Sequence, residues 1–168
     1  MFDIEDSIGF YRLTVENYDD FVENSGSSRH AINCAISAYH IAEWIWGDWL
    51  HSDYAVWRKL AGVRDRDSFK AWIDQETPFF TVVKDIANGS KHFASKIRGT
   101  KSTGTYVDND YVEPGYQEQY LEVEVGGRWI EAIIVVEEMV IFWERFLKTH
   151  RPQAVLPQPR NPFTHMPD

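Results

Sequence analysis

The chain of 168 residues carries 17 Lys plus Arg against 26 Asp plus Glu, a formal net charge of -9, and is 43% hydrophobic and 15% aromatic. That apolar load excludes a disordered chain, which lacks the burial needed to offset ordering entropy, and the length fits one domain. The acid excess argues against broad nucleic-acid or anionic-membrane binding, which draws on basic patches.

A first helix is predicted from about Asp3 to Glu23, because Ile4, Ile8, Tyr11, Val15, Tyr18 and Val22 recur at helical spacing. Asn24 to Ser28 breaks it and offers a serine cap. A second helix is predicted from Ser28 to about His51, with Ala31, Ala35, Ala38, Ala42, Ile45 and Trp49 on one face. The alanines there would let a partner helix approach closely. The opposite face holds Asn33, Ser37, His40, Trp44 and His51, with Glu43 at its margin, a stripe suited to one wall of a pocket. Asp53 to Leu60 reads as a short helical piece and Ala61 to Arg66 as a loop. Asp67 or Ser68 would cap a helix through Glu76, with Phe69, Trp72 and Ile73 as its apolar face. Pro78 suits the first turn of a helix to about Phe93. Its core face would be Phe79, Val82, Val83, Ile86 and Phe93, and its polar face Thr81, Lys84, Asp85, Asn88 and His92.

Beyond Arg98 the pattern changes. Gly99 to Gly104 reads as a loop, and Thr105 to Val107 and Glu118 to Val125 as extended chain. Strict alternation from Tyr120 to Val125 gives one buried and one polar face. Gly126-Gly127 is a two-residue hairpin turn, followed by a short strand from Arg128 to Ile130. In the last helix Ala132, Val135, Val136, Met139, Val140, Phe142, Trp143, Phe146 and Leu147 cover a wide apolar sector. From Pro152 onward prolines are too frequent for a helix. The expected fold is therefore mainly α: a four- to five-helix bundle with a small antiparallel β-hairpin inserted before the last helix. Residues 1–150 would form a single helical-bundle domain and 151–168 a proline-rich extended or disordered tail.

The single cysteine, Cys34, excludes an internal disulfide and a cysteine-based zinc site, and its apolar neighbours mark it as a buried thiol. The acidic start is unlike a signal peptide, and no apolar run reaches about 18 residues. A cytoplasmic protein without membrane association is expected.

Two segments carry more polar chemistry than a scaffold requires. In Tyr39-His40-Ile41-Ala42-Glu43-Trp44-Ile45-Trp46, His40 and Glu43 are three apart and so neighbours on a helix. In Ala87-Asn88-Gly89-Ser90-Lys91-His92-Phe93, Asn88 and His92 are four apart, with Lys91 beside them. If the two faces meet, they supply groups for acid–base chemistry. His92 and His40 would exchange protons, Glu43 would orient His40, and Lys91, Asn88 and Trp44 would hold a substrate. Each histidine taken alone more often fits a structural or exposed position than a functional one. His40, Glu43 and His92 are also the set a mononuclear metal would use, although the leading expectation is a site without metal or cofactor. Phosphate-binding glycine loops and the nucleophile-elbow pattern are absent from the sequence.

A helical bundle with polar groups on facing helices resembles the HEPN superfamily of small all-α domains. That resemblance implies a homodimer and metal-independent ribonuclease activity of the toxin or antiphage kind. The usual signature there is an Arg followed after four to six residues by a His. Arg145 and His150 match it in spacing; Asn88 to His92 has the length, with Asn in the place of Arg. The two polar segments, as HxxEWxW and NGxKHF, also resemble stretches of bacterial proteins without an assigned activity. The expected partners are a second copy of the chain and RNA at the Asn88–Arg98 segment, where Lys91, Lys96 and Arg98 stand without an acid. The competing expectation is a non-catalytic protein-interaction module. It would use exposed Trp44, Trp46 and Trp57 and a tail that binds a protein partner as an extended strand.

Overall fold

The computed structural model describes residues 4–89, 97–103 and 117–163, with the backbone alone for 97–103 and 117–120. It is mainly helical. The elements are α1 (Ser7–Glu23), α2 (Ser28–Asp48), a 3-10 turn (Leu50–Ser52), α3 (Tyr54–Trp57), α4 (Arg66–Glu76), α5 (Phe79–Ala87), β1 (Ile97–Thr103), β2 (Gln117–Val125), β3 (Arg128–Glu131) and α6 (Ala132–His150).

Capping chemistry sets several boundaries. α1 begins at Ser7 rather than near Asp3, because the Asp6 carboxylate accepts the Gly9 N–H at 2.7 Å and fixes the start there. α4 begins earlier than expected. Asp65, not Asp67 or Ser68, is its N-cap, and Ser68 completes a reciprocal capping box. α5 is the larger correction. Its helical pattern was expected to run to Phe93, yet it stops at Ala87 with Asn88 as C-cap and Gly89 at φ +59. A glycine with positive φ is a helix stop, since it alone enters that region without a Cβ penalty. Asn88, with αR backbone and its N–H bonded to the Lys84 carbonyl at 2.9 Å, is the last residue on the polar face of α5; Lys91, His92 and Phe93 lie outside the described residues.

The helices assemble around α2. α1 runs antiparallel to it, pinned at three levels. The Ser7 hydroxyl donates to Asp48 Oδ2 at 2.7 Å, Phe10 stacks on Trp44 with ring centroids 4.9 Å apart, and the Asn17 amide donates to Ser37 Oγ at 3.2 Å. The alanine face of α2 is buried from Ala31 to Ala42, with Ile45 and Trp49 beyond. Small side chains there let the indole of Trp143 in α6 reach the backbone, donating to the Ala38 carbonyl at 2.8 Å. α5 crosses the same helix with Phe80 near Tyr39 at 5.4 Å, and Ile86 lines a hollow with Ala31 and Ile32. Phe80, not Phe79, is its fully buried aromatic.

β1, β2 and β3 form an antiparallel meander in sequence order. The hairpin is as read: Val125 pairs with Arg128 across Gly126-Gly127, both with positive φ, the geometry of a tight two-residue turn. Leu121 and Val123 face the core. β1 occupies Ile97–Thr103, so the stretch from Gly99 that was expected to be a loop is a paired strand, its Gly99 opposite Leu121. The expected strand at Thr105 to Val107 lies outside the described residues. Among the described residues no helix is long and apolar enough to cross a membrane.

After α6 the described residues, as far as Phe163, are neither helix nor strand. Leu156 and Phe163 nevertheless pack against the core. The expected exposed tryptophans are also corrected. Trp46 and Trp57 stack on each other at 5.3 Å and pack against the core, half-buried.

Candidate functional site

The non-core face of α2 and the facing side of α1 enclose a shallow groove of about 390 Å³, lined by Phe10, Leu13, Asn17, Asn33, Ile36, Ser37, His40, Glu43 and Trp44. It exists because α1 and α2 meet through small or polar side chains at Ser37 and Asn17, while the Phe10–Trp44 stack closes one end. Past that stack a second hollow of about 350 Å³ shares Glu43 and Trp44 and adds Glu5, Gly47 and Asp48.

His40 and Glu43 do meet. His40 Nδ1 is 3.2 Å from Glu43 Oε2, and the two side chains are 40% and 38% exposed. The other carboxylate oxygen, Oε1, accepts a hydrogen bond from Lys70 Nζ at 2.7 Å. Lys70 Nζ also donates to the Tyr39 hydroxyl at 3.1 Å and lies 4.8 Å from that ring's centre. The Lys70 hydrogen bond holds the Glu43 carboxyl below the usual glutamate range, against the opposing effect of burial and with help from His40. Burial works to lower the Lys70 ammonium, but its bonds to Glu43 and Tyr39 outweigh that and raise it. Glu43 is therefore ionised at neutral pH and accepts only. In the neutral form of the His40 ring it selects the tautomer with the proton on Nδ1, which leaves Nε2 as the acceptor nitrogen. Among the described residues Nε2 has no hydrogen-bond partner.

Lys70 is the member that sequence reasoning missed. It sits between Phe69 and Ile73, both buried, so it flanks the apolar face of α4 and must lie against α2. Its signal was position: a lysine at the margin of a docking face seeks an acid across the interface. Asn17, Phe10 and Leu13, all half-buried, were missed because they flank the apolar stripe of α1 rather than form it.

The other expected residues are placed elsewhere or not described. Asn88 caps α5 and is exposed. Ile86 sits with Ala31 and Ile32, eight or nine residues before His40. At 1.5 Å per residue, that end of α5 is about 12–14 Å from His40 along α2. Lys91 and His92 lie outside the described residues. Arg145 and His150 are at the far end of α6, where the His150 ring packs on Phe146 at 4.6 Å. Burial, then Lys59, lowers the His150 imidazole, which keeps it neutral. Cys34 is fully buried, and burial pushes its thiol well above the ordinary range, so it is no nucleophile.

Among the described residues no three His, Cys, Asp or Glu side chains converge on a metal position. His40 and Glu43 are two candidate ligands, and a cation at Glu43 would compete with Lys70. The chain matches no family model, no curated protein and no solved structure.

Proposed function

We propose that the chain is a HEPN-like, metal-independent acid–base catalyst that cleaves RNA in the groove between α1 and α2. The observation that carries this reading is the ordered chain Lys70–Glu43–His40, which presents one imidazole nitrogen as a base. In that role His40 Nε2 removes the proton from a ribose 2′-hydroxyl. The freed oxygen attacks the adjacent phosphorus, and the 5′-oxygen leaves as it takes a proton from His92. The products are a 2′,3′-cyclic phosphate and a 5′-hydroxyl.

The electrostatics support one direction of approach. Glu5 and Asp48 lie beyond Trp44, whereas the Asn17, Asn33 and Ser37 end of the groove is uncharged. A phosphodiester enters from that neutral end, which is also the end of α2 where α5 finishes. Lys91 and His92, three and four residues beyond Asn88, are assigned to the phosphate on this reading. Lys91 then balances the phosphate charge, Asn88 contacts the backbone of the RNA, and Trp44 offers a ring for base stacking.

The test is cleavage of a single-stranded RNA in excess EDTA by wild type and His40→Gln, with circular dichroism confirming the fold. A general base contributes about 100-fold or more, so the variant should lose at least that factor. No cleavage by wild type, or equal cleavage by both proteins, overturns the reading.

A second reading is favoured by Ile32 and Ile36, each 37% exposed on the same face of α2. On it the groove is a protein-interaction surface, either between two copies of the chain or with another protein. Wild type that binds RNA neither productively nor otherwise, yet loses self-association on Ile36→Lys, would establish it.

A further inference from the structure

The segment after α6 is the other feature that a mere scaffold does not explain. It turns sharply at its root, with the Ala154 N–H bonded to the Arg151 carbonyl at 2.9 Å, and then runs along the seam between α1 and α6. Its hold on α1 is chemically specific. Asp19 is 2% exposed, yet its carboxylate receives the backbone N–H groups of Arg160 at 3.0 Å and Asn161 at 2.9 Å, and the Asn161 side-chain amide at 3.2 Å. The Arg160 guanidinium lies 3.5 Å from Asp19, 3.5 Å from Asp20 and 3.3 Å from Glu23. Phe163 sits against Tyr18 with ring centroids 5.6 Å apart, and Gln158 donates to Glu144 on α6 at 2.9 Å.

This arrangement has the features of peptide recognition. A fixed acceptor reads consecutive main-chain N–H groups, an acidic rim selects a basic side chain, and an aromatic contact selects a ring three residues on. The receptor groups named belong to α1 and α6, and the recognised groups to residues 158–163. Nothing in the contact set requires that the two come from one molecule. We propose that this seam is a docking surface for the same tail segment of a second copy of the chain, so that two copies can exchange tails. Exchange of an identical element is a low-cost route to a dimer. Charge complementarity favours this occupant: the rim is acidic and Arg160 is its match. A short tether gives the chain's own tail an effective concentration on the order of millimolar. Exchange therefore shows when that tail is disabled.

The test uses two full-length variants. One has a disabled tail and an intact receptor (Arg160→Pro with Asn161→Pro, which removes both main-chain donors to Asp19). The other has a disabled receptor and an intact tail (Asp19→Ala, or Asp19→Asn if the first does not fold). The fluorescently labelled tail variant is titrated with the receptor variant and, separately, with itself. The mixed pair should associate at least tenfold more tightly than the self-pair, because only the mixture combines a free tail with a free receptor. Equal association in the two titrations, or none in either up to millimolar protein, overturns the proposal.

Discussion

Replacing Asp19 with alanine separates two ways of holding the tail. The carboxylate accepts two backbone N–H groups at 3.0 and 2.9 Å in a nearly solvent-free position. Hydrogen bonds to a charged group contribute about 1.5–3 kcal/mol each, and the Asn161 side-chain amide makes a third at 3.2 Å, so roughly 4.5–9 kcal/mol is lost. Freeing the two or three residues held there returns about 1–2 kcal/mol of backbone entropy per residue. The expected net cost is about 3 kcal/mol, and for a chain of this size that lowers the thermal midpoint by about 6–12 °C. Arg160→Ala should behave differently. Its guanidinium is 64% exposed, and its pairs with Asp20 and Glu23 are pairs with half-exposed acids. Such surface pairs contribute under about 1 kcal/mol. Thermal unfolding followed by circular dichroism gives both numbers, and hydrogen exchange at Arg160 and Asn161 reports release of the tail directly. If Arg160→Ala costs as much as Asp19→Ala, or if these amides stay protected in Asp19→Ala, the main-chain hydrogen bonds are not what holds the segment.

Other consequences concern the polar site and the core. Lys70→Met should destabilise the protein by about 1 kcal/mol or less near neutral pH, and the penalty should shrink in acid. Glu43 is depressed in the folded state by Lys70. Its contribution is present above the ordinary glutamate range and is lost as pH falls through the folded value. Thermal midpoints of both proteins between pH 3 and 7 check this; a constant difference would contradict it. Cys34 is fully buried with its thiol raised by burial, so iodoacetamide should label it at the rate of unfolding. Rapid labelling of native protein would place it elsewhere. Trp143→Phe removes the donor to the Ala38 carbonyl and part of a fully buried ring. It should cost about 2–4 kcal/mol by chemical denaturation, and a loss under 1 kcal/mol would deny that bond its structural role.

What could be read from the sequence followed periodicity and turn chemistry. The alanine face of α2, the Gly126-Gly127 hairpin and the apolar sector of α6 were legible because each repeats at the period of its own element. Gly89 was not. Inside an apolar pattern it looked like a tolerated helical glycine, but its backbone at φ +59 ends α5. β1 was hidden because Arg98 to Thr103 lacks the β-branched alternation of a half-buried strand, and the strand is defined by its pairing with β2. The His40–Glu43 contact was legible as a helical spacing of three. Lys70 was not, because its partnership depends on how α4 docks against α2, which local pattern does not encode. The tail was read from its prolines as chain with little to pack. Its attachment depends on one buried aspartate 141 residues away in sequence from Arg160, a separation that no local rule reaches.

RNA is proposed to react at His40 in the groove between α1 and α2. The most direct measurement follows the histidine ring nitrogens of 15N-labelled protein while an uncleavable, 2′-deoxy-substituted RNA is added. Reaction at His40 requires a saturable shift of the His40 Nε2 signal, accompanied by the side-chain amides of Asn17 and Asn33, with the His150 ring unmoved. A His40 signal that stays fixed while RNA binds, or the absence of any binding, would contradict it.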